Sequence, residues 1–214
     1  MALIHDLLPA CAVTVEGGDE SARLLPGEEL GVARMAEKRR REFVAGRSCA
    51  RAALARLGWH GFPVLAGPGR MPLWPPGIVG SITHCEGYCA CTVARASELR
   101  TVGIDAELNV PLPAGALEVV CTERERASLP RLPGVHWPTL VFSAKEAVYK
   151  AWYPIARCWL DHLDADISLH ADRGAFVARL RAAPHDLIRF PGHRLEGRFR
   201  VTPRYLLTAV ALAP

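Results

Sequence analysis

Asp105 and Glu107 stand two positions apart in Val102-Gly103-Ile104-Asp105-Ala106-Glu107, and their types and spacing could do chemistry. Successive side chains of a strand alternate faces, so these two carboxylates leave one side of a sheet together. Held that close they repel, and they either share a proton or hold a cation between them. A second segment, Phe142-Ser143-Ala144-Lys145-Glu146-Ala147-Val148-Tyr149-Lys150-Ala151, reads as a helix in which Glu146 stacks with Lys150 and Lys145 with Tyr149. Laid across the end of the strand, that helix adds a third carboxylate and two ammonium groups. Three hard oxygen ligands beside lysines suit Mg²⁺ on a phosphate ester better than zinc, which prefers His and Cys.

Each motif also has a plainer reading. Ser143 followed by Glu146 matches a helix capping box, and Glu146 with Lys150 has the ordinary stabilising orientation of a surface pair. Asp105 and Glu107 could face water from an edge strand. Their occurrence beside Gly103, Ile104, Phe142 and Val148, which read as core, argues against both elements lying in water.

The elements that must position these groups follow from pattern and breakers. Residues 1 to about 27 are loop-rich, with one strand around Cys11 to Val15. From Glu28 to Leu57 a helical pattern puts Phe43, Ala50, Leu54 and Leu57 on one apolar stripe with Arg39 and Arg47 at its margins, while Arg41 and Arg56 point elsewhere. Two guanidiniums bordering an apolar face need an anion such as phosphate, unless both reach to water as helix-edge arginines. The Pro- and Gly-rich run from Gly58 to Gly80 is strand, turn and loop, and carries Arg70. Ile78 to His84 reads as a buried strand with Tyr88 to Ala94 as its antiparallel return, which places His84 at a hairpin mouth. Asn109 to Gly115 is the expected boundary between two halves. Residues 116 to 129 look helical, with Glu123-Arg124-Glu125-Arg126 a solvated face, and Pro154 ends or kinks the later helix. Trp152, Tyr153 and Trp159 form an aromatic patch, read as core or as a wall of a ligand or docking groove. Beyond it the chain is β-rich over Ala165 to His170, Ala175 to Arg181 and Leu195 to Leu212, with a break at Pro203-Arg204.

Four motifs in order resemble the 4′-phosphopantetheinyl transferases, closest to the surfactin-type and enterobactin-type branch. They are Lys38-Arg39-Arg40-Arg41-Glu42-Phe43 with Gly46-Arg47, Gly80-Ser81-Ile82-Thr83-His84 with Gly87-Tyr88, Gly103 to Glu107, and Phe142 to Ala151. The resemblance implies an α+β fold of two similar α/β halves about a pseudo-twofold axis, here residues 1–110 and 111–214. It implies transfer of the 4′-phosphopantetheine arm of coenzyme A to a serine of an apo acyl or peptidyl carrier protein, releasing 3′,5′-ADP. Asp105, Glu107 and Glu146 would be ligands of Mg²⁺, with Mn²⁺ a possible substitute. Glu146 would also be the base, Lys150 would steady pyrophosphate charge, and Lys145 would position the pyrophosphate or the serine. Arg39, Arg47 and His84 would hold coenzyme A phosphates, with Ser81, Thr83 and Arg70 as further contacts. Tyr153 and its aromatic neighbours would wall the pantetheine arm or the carrier groove. A monomer is expected, since two halves in one chain need no partner.

Composition bounds the alternatives. The chain has 214 residues, half of them apolar and 22% charged, which is ordinary for a globular protein with a sizeable core. A formal charge of +4 favours acidic partners, such as a carrier protein with an acidic docking face or a polyphosphate. It is low for nucleic-acid binding, and the basic cluster Lys38 to Arg41 lacks interleaved aromatics beyond Phe43. Seven scattered cysteines include no C-x-x-C pair and no tetrahedral ligand spacing, and Cys89 and Cys91 read as buried thiols on one strand face. No apolar run approaches membrane-spanning length, so a cytoplasmic protein with reduced thiols is expected. A coenzyme A or nucleotide-binding regulatory module that kept the pocket without the chemistry is the alternative of a different class.

Overall fold

In the computed structural model, residues 3–30, 32, 35–181 and 193–214 are described. Two antiparallel sheets are built from the alternating segments. The smaller has the order β1-β3-β2, from β1 (Val13–Glu16), β2 (Ile78–Cys85) and β3 (Tyr88–Arg95). The larger has the order β4-β8-β7-β6-β5, from β4 (Thr101–Leu108), β5 (Ala165–His170), β6 (Ala175–Leu180), β7 (Arg194–Val201) and β8 (Tyr205–Leu212). One long helix serves each sheet.

The first, α1 (Glu37–Ala55), starts later than the apolar pattern from Glu28 suggests, and residues 31, 33 and 34 of that window lie outside the described residues. It buries small residues, Cys49, Ala50 and Ala53, with Leu54 against Cys89, Cys91 and Val93 of β3, so helix and sheet approach closely. Cys89 and Cys91 share one face, as their spacing in the strand requires.

Residues 116 to 129 are two short pieces, α2 (Leu117–Val120) and α3 (Glu123–Ser128). The second is capped by Thr122, whose side chain accepts from the Glu125 backbone N–H while the Glu125 carboxylate accepts from the Thr122 N–H. The expected solvated face is therefore corrected at Glu125, which is buried at 2% exposure. That carboxylate is drawn inward by Thr122, by the Ile167 N–H and by Lys145.

The second long helix, α4 (Trp137–Ala156), begins with Pro138 in its first turn, where a missing N–H costs nothing. Ser143 is therefore inside the helix and not its cap; its hydroxyl is hydrogen-bonded to Thr208 at 2.9 Å. Pro154 lies in the last turn, and the helix closes on Arg157 in the left-handed conformation. Leu140, Val141, Ala144, Val148 and Trp152 pack on Phe176, Leu195, Leu206 and Val210 of the larger sheet.

Both faces of β4 are covered. Val102, Ile104 and Ala106 join Ala90, Ala94, Leu207 and Ala209 in a core between the two sheets. The opposite face, Thr101, Gly103, Asp105 and Glu107, looks toward α4. Gly103 is what admits the helix, because a Cβ there would collide with the Ala147 carbonyl. A division at residue 110 groups β4 with the N-terminal half, yet β4 hydrogen-bonds along its whole length to β8 of the larger sheet.

The free edge of β4 meets β2 through side chains. Ser81 Oγ accepts from the Ile104 N–H at 3.1 Å, and Thr83 Oγ1 accepts from the Ala106 N–H at 3.0 Å. The registers advance together, so the strands run parallel, with two hydroxyls in place of main-chain carbonyls. This seam joins the sheets and fixes where the acidic strand stands. Among the described residues no helix is long and apolar enough to cross a membrane.

Candidate functional site

A cleft of about 850 Å³ runs along this seam, at the large end of the range for small-molecule sites. Arg39, Arg47, Arg70, Ser81, Thr83, His84, Asp105, Glu107, Glu146 and Lys150 all line it. Residues far apart in the chain are thus brought to one cavity by α1, β2, β4, α4 and the loop that carries Arg70.

At one end, Lys150 Nζ donates to Asp105 Oδ1 at 2.6 Å and to the Ile104 carbonyl at 3.2 Å. Thr83 donates to the same Asp105 oxygen at 3.3 Å. The other oxygen, Asp105 Oδ2, is buried without a hydrogen-bond partner. Glu107, beside it, has its carboxyl pushed up to about 7, by burial first and then by the Asp105 charge, with Glu146 adding to the effect. For Glu146 burial works upward as well, but the hydrogen bond with His162 and the charge of Lys150 prevail and hold it below its usual value.

Whether these residues fit a divalent cation can be judged from that geometry. An unpartnered buried carboxylate oxygen and a neighbouring carboxyl that resists ionisation are what a hard oxygen site presents without its ion. Asp105 Oδ2 and Glu107 supply the donors. The set is not closed, since Glu146 is turned to His162 at 3.2 Å. Among the described residues no three His, Cys, Asp or Glu side chains already converge as a metal-binding group. The carboxylate oxygens are hard donors of the kind that Mg²⁺ and Mn²⁺ prefer.

At the other end, Arg39 donates to His84 Nε2 at 2.7 Å. A guanidinium only donates, so Nε2 is the acceptor and the ring is neutral with its proton on Nδ1. Burial first, then Arg39, holds His84 below its ordinary pKa. Glu42 stands 3.4 Å from Arg39 and 3.7 Å from His84. Arg47 is 6% exposed, lies over the Phe43 ring at 4.2 Å, and has a buried Nε without a partner. Its pKa is lowered chiefly by burial. A desolvated guanidinium facing a cleft is matched to an anionic ligand.

The loop over the cleft carries Arg70 at φ 63°, a left-handed conformation unusual for a long side chain. Gly69 beside it approaches Tyr153 so closely that a Cβ would stand 2.6 Å from the ring. Arg157 at the end of α4 reaches Met71 of the same loop at 2.9 Å. The aromatic patch divides accordingly: Trp152 is core, Tyr153 walls the cleft, and Trp159 is 71% exposed beside Tyr149 at 5.2 Å.

Lys145 departs from the sequence reading. The expectation of two ammonium groups in the cleft is corrected to one, Lys150. Lys145 is 3% exposed and points beneath α4, where Nζ donates to Glu125 Oε2 at 2.8 Å, the Val120 carbonyl at 2.8 Å and the His162 carbonyl at 2.7 Å. Adjacent positions on a helix are ~100° apart, so Lys145 cannot share the face of Glu146 and Lys150. It borders instead a smaller cavity of about 110 Å³ with Tyr149, Trp159 and His162.

Sequence reasoning missed Glu42, Glu125 and His162. For Glu125 a signal was present, since Thr122-Glu123-Arg124-Glu125 has the spacing of a capping box. His162 carries no such mark in the sequence, and its place beside Glu146 depends on how β5 returns under α4.

Known proteins share this arrangement of sequence. Residues 27–94 match the 4′-phosphopantetheinyl transferase N-terminal domain, and residues 101–207 match the 4′-phosphopantetheinyl transferase superfamily. The chain is 44% identical to the 4′-phosphopantetheinyl transferase Svp of Streptomyces mobaraensis, over 99% of this chain and 89% of that one. It is 43% identical to the 4′-phosphopantetheinyl transferase PptT of Mycobacterium tuberculosis, over 88% and 86%. It is 36% identical to enterobactin synthase component D of Escherichia coli, over 53% and 55%. The match spans both sheets and all the cleft-lining motifs, and the chain belongs to the 4′-phosphopantetheinyl transferase superfamily.

Proposed function

We propose that this protein transfers the 4′-phosphopantetheine arm of coenzyme A to a serine hydroxyl of an apo carrier protein. The observation that carries the reading is one cleft in which a desolvated arginine, a neutral histidine, one lysine and the carboxylates of Glu42, Asp105, Glu107 and Glu146 meet. Arg47, Arg39, His84 and Arg70 bind the phosphates of coenzyme A. Ser81 and Thr83 hold the seam and so set the distance between the phosphate-binding end and the carboxylates.

In the reaction, the serine oxygen bonds to the phosphorus that carries the pantetheine, and the bond from that phosphorus to the bridging oxygen breaks. The leaving group is 3′,5′-ADP. The hydroxyl proton passes to a carboxylate oxygen of Glu146, directly or through a water. Lys150 balances negative charge next to Asp105. Asp105 and Glu107 would hold Mg²⁺ or Mn²⁺, with Glu146 completing the set; the ion would supply neutralisation of the charge that develops on the pyrophosphate.

The partner is a carrier protein whose acidic face suits a chain of formal charge +4. The chain acts as a monomer in the cytoplasm. Chromatographic detection of 3′,5′-ADP released from coenzyme A tests the reading: release should require apo carrier and should vanish in Asp105→Ala with the fold intact. Near-normal release in that variant would refute the metal assignment, and no release by the unaltered protein would refute the transferase reading.

A further inference from the structure

Glu146 is asked to do two things, accept a proton and complete an oxygen ligand set, yet a flexible glutamate has three rotatable bonds. What holds it is outside the helix that carries it. His162 Nε2 lies 3.2 Å from Glu146 Oε1. A carboxylate oxygen only accepts, so in this contact Nε2 is the donor and carries the proton. His162 is itself fixed through its ring, its main chain and its turn. Its ring stacks on Phe142 with centroids 5.4 Å apart and planes 23° from parallel. Its carbonyl accepts from Lys145 Nζ at 2.7 Å. Its turn, His162–Asp164, is closed by a reciprocal cap between Asp161 and Asp164.

Lys145 in turn is locked onto Glu125 and the Val120 carbonyl in the interior. The chain of contacts runs from the buried ion pair through the His162 backbone to the His162 ring and ends on one Glu146 oxygen. One oxygen is thereby occupied, and the other is left for the cleft.

We propose that His162 is a positioning residue for Glu146: it binds Oε1 through its Nε2 proton and so aims Oε2 at the reacting centre. The inference rests on the transferase reading for its kinetic consequence but not for the contact itself. It assigns Lys145 a part in the same device, as the anchor of the His162 main chain and not as a phosphate ligand.

Two substitutions separate the hydrogen bond from the ring. His162→Phe keeps the stack on Phe142 and removes the donor; His162→Gln keeps an N–H at a comparable reach. A charge-assisted hydrogen bond lost from the reacting geometry predicts that His162→Phe lowers kcat about ten- to a hundredfold. The KM for coenzyme A should stay within about twofold, since His162 is absent from the phosphate-binding end, and His162→Gln should recover most of the rate. A melting temperature matching the unaltered protein in His162→Phe excludes a folding defect as the cause.

Nitrogen-15 NMR of the histidine rings in the free protein at pH 8 gives a readout without substrate: His162 Nε2 should carry the proton. Turnover by His162→Phe within twofold of the unaltered protein would overturn the assignment. So would a His162→Gln variant as slow as His162→Phe, or an unprotonated Nε2 in the spectrum. If the unaltered protein transfers nothing, the transferase reading fails, while the spectrum still decides the His162 contact.

Discussion

Lys145→Met tests how the floor of the site is held. The substitution keeps most of the aliphatic stem and deletes a charge from a pair in which the side chains are 2% and 1% exposed. Removing one partner of such a pair leaves the other charge buried, at a cost of about 3–5 kcal/mol. Glu125 keeps the Ile167 and Thr122 N–H donors at 2.6 and 2.7 Å, which places the loss near the lower limit, about 3 kcal/mol. The Val120 and His162 carbonyls also lose a donor, so the figure does not fall further. For a chain of this size that corresponds to a melting temperature lower by about 6–12 °C. Urea unfolding followed by the fluorescence of the buried Trp137 and Trp152 measures it. At a temperature where the variant is folded, its affinity for coenzyme A should lie within about twofold of the unaltered protein. A stability loss under about 1 kcal/mol, or a selective loss of coenzyme A binding at unchanged stability, would refute this placement of Lys145.

Three other perturbations probe different parts of the account. Gly103→Ala pushes a methyl group into the Ala147 carbonyl and the Ala151 N–H, separating β4 from α4; it should destabilise by at least about 1–3 kcal/mol in thermal unfolding, and a neutral result would contradict the close approach. Thr83→Val leaves the buried Ala106 N–H without its acceptor and should cost about 1–3 kcal/mol; an unchanged midpoint in urea would remove Thr83 from the seam. The Glu107 carboxyl, raised from 4.5 to about 7, favours its protonated form in the metal-free protein, so the stability it contributes there is present at low pH and is lost as pH rises through 7. Divalent cations need that carboxylate ionised. Mn²⁺ binding followed by electron paramagnetic resonance should therefore tighten about tenfold from pH 6 to pH 8, whereas a flat profile would take Glu107 out of the ligand set.

Local rules carried much of this structure. The period-two alternation of Val102 to Glu107 put Asp105 and Glu107 on one face, and the structure places that face against α4. The β-hairpin at His84 and the four C-terminal strands follow the apolar pattern and the Pro203-Arg204 break. Helix geometry likewise keeps Glu146 and Lys150 in the cleft, but the same geometry separates Lys145 from them, and counting lysines near a glutamate passes over that angle. Partnerships across the chain were not legible. Nothing local to β4 says that its ladder partner is β8, nor that two hydroxyls of β2 would satisfy its other edge. Glu125 looked solvated because its neighbours are charged; its burial depends on Lys145 and Ile167, which come from distant segments. His162 is placed by the same long-range packing.

The most direct test of the transfer chemistry is intact-mass analysis of an apo carrier protein incubated with this protein, coenzyme A and Mg²⁺, beside a control with EDTA. A mass increase of one phosphopantetheine arm, abolished by EDTA, is the predicted result. An unchanged carrier mass across apo carriers from several pathways, with coenzyme A still bound by the protein, would contradict it and mark the cleft as a binding site without transfer.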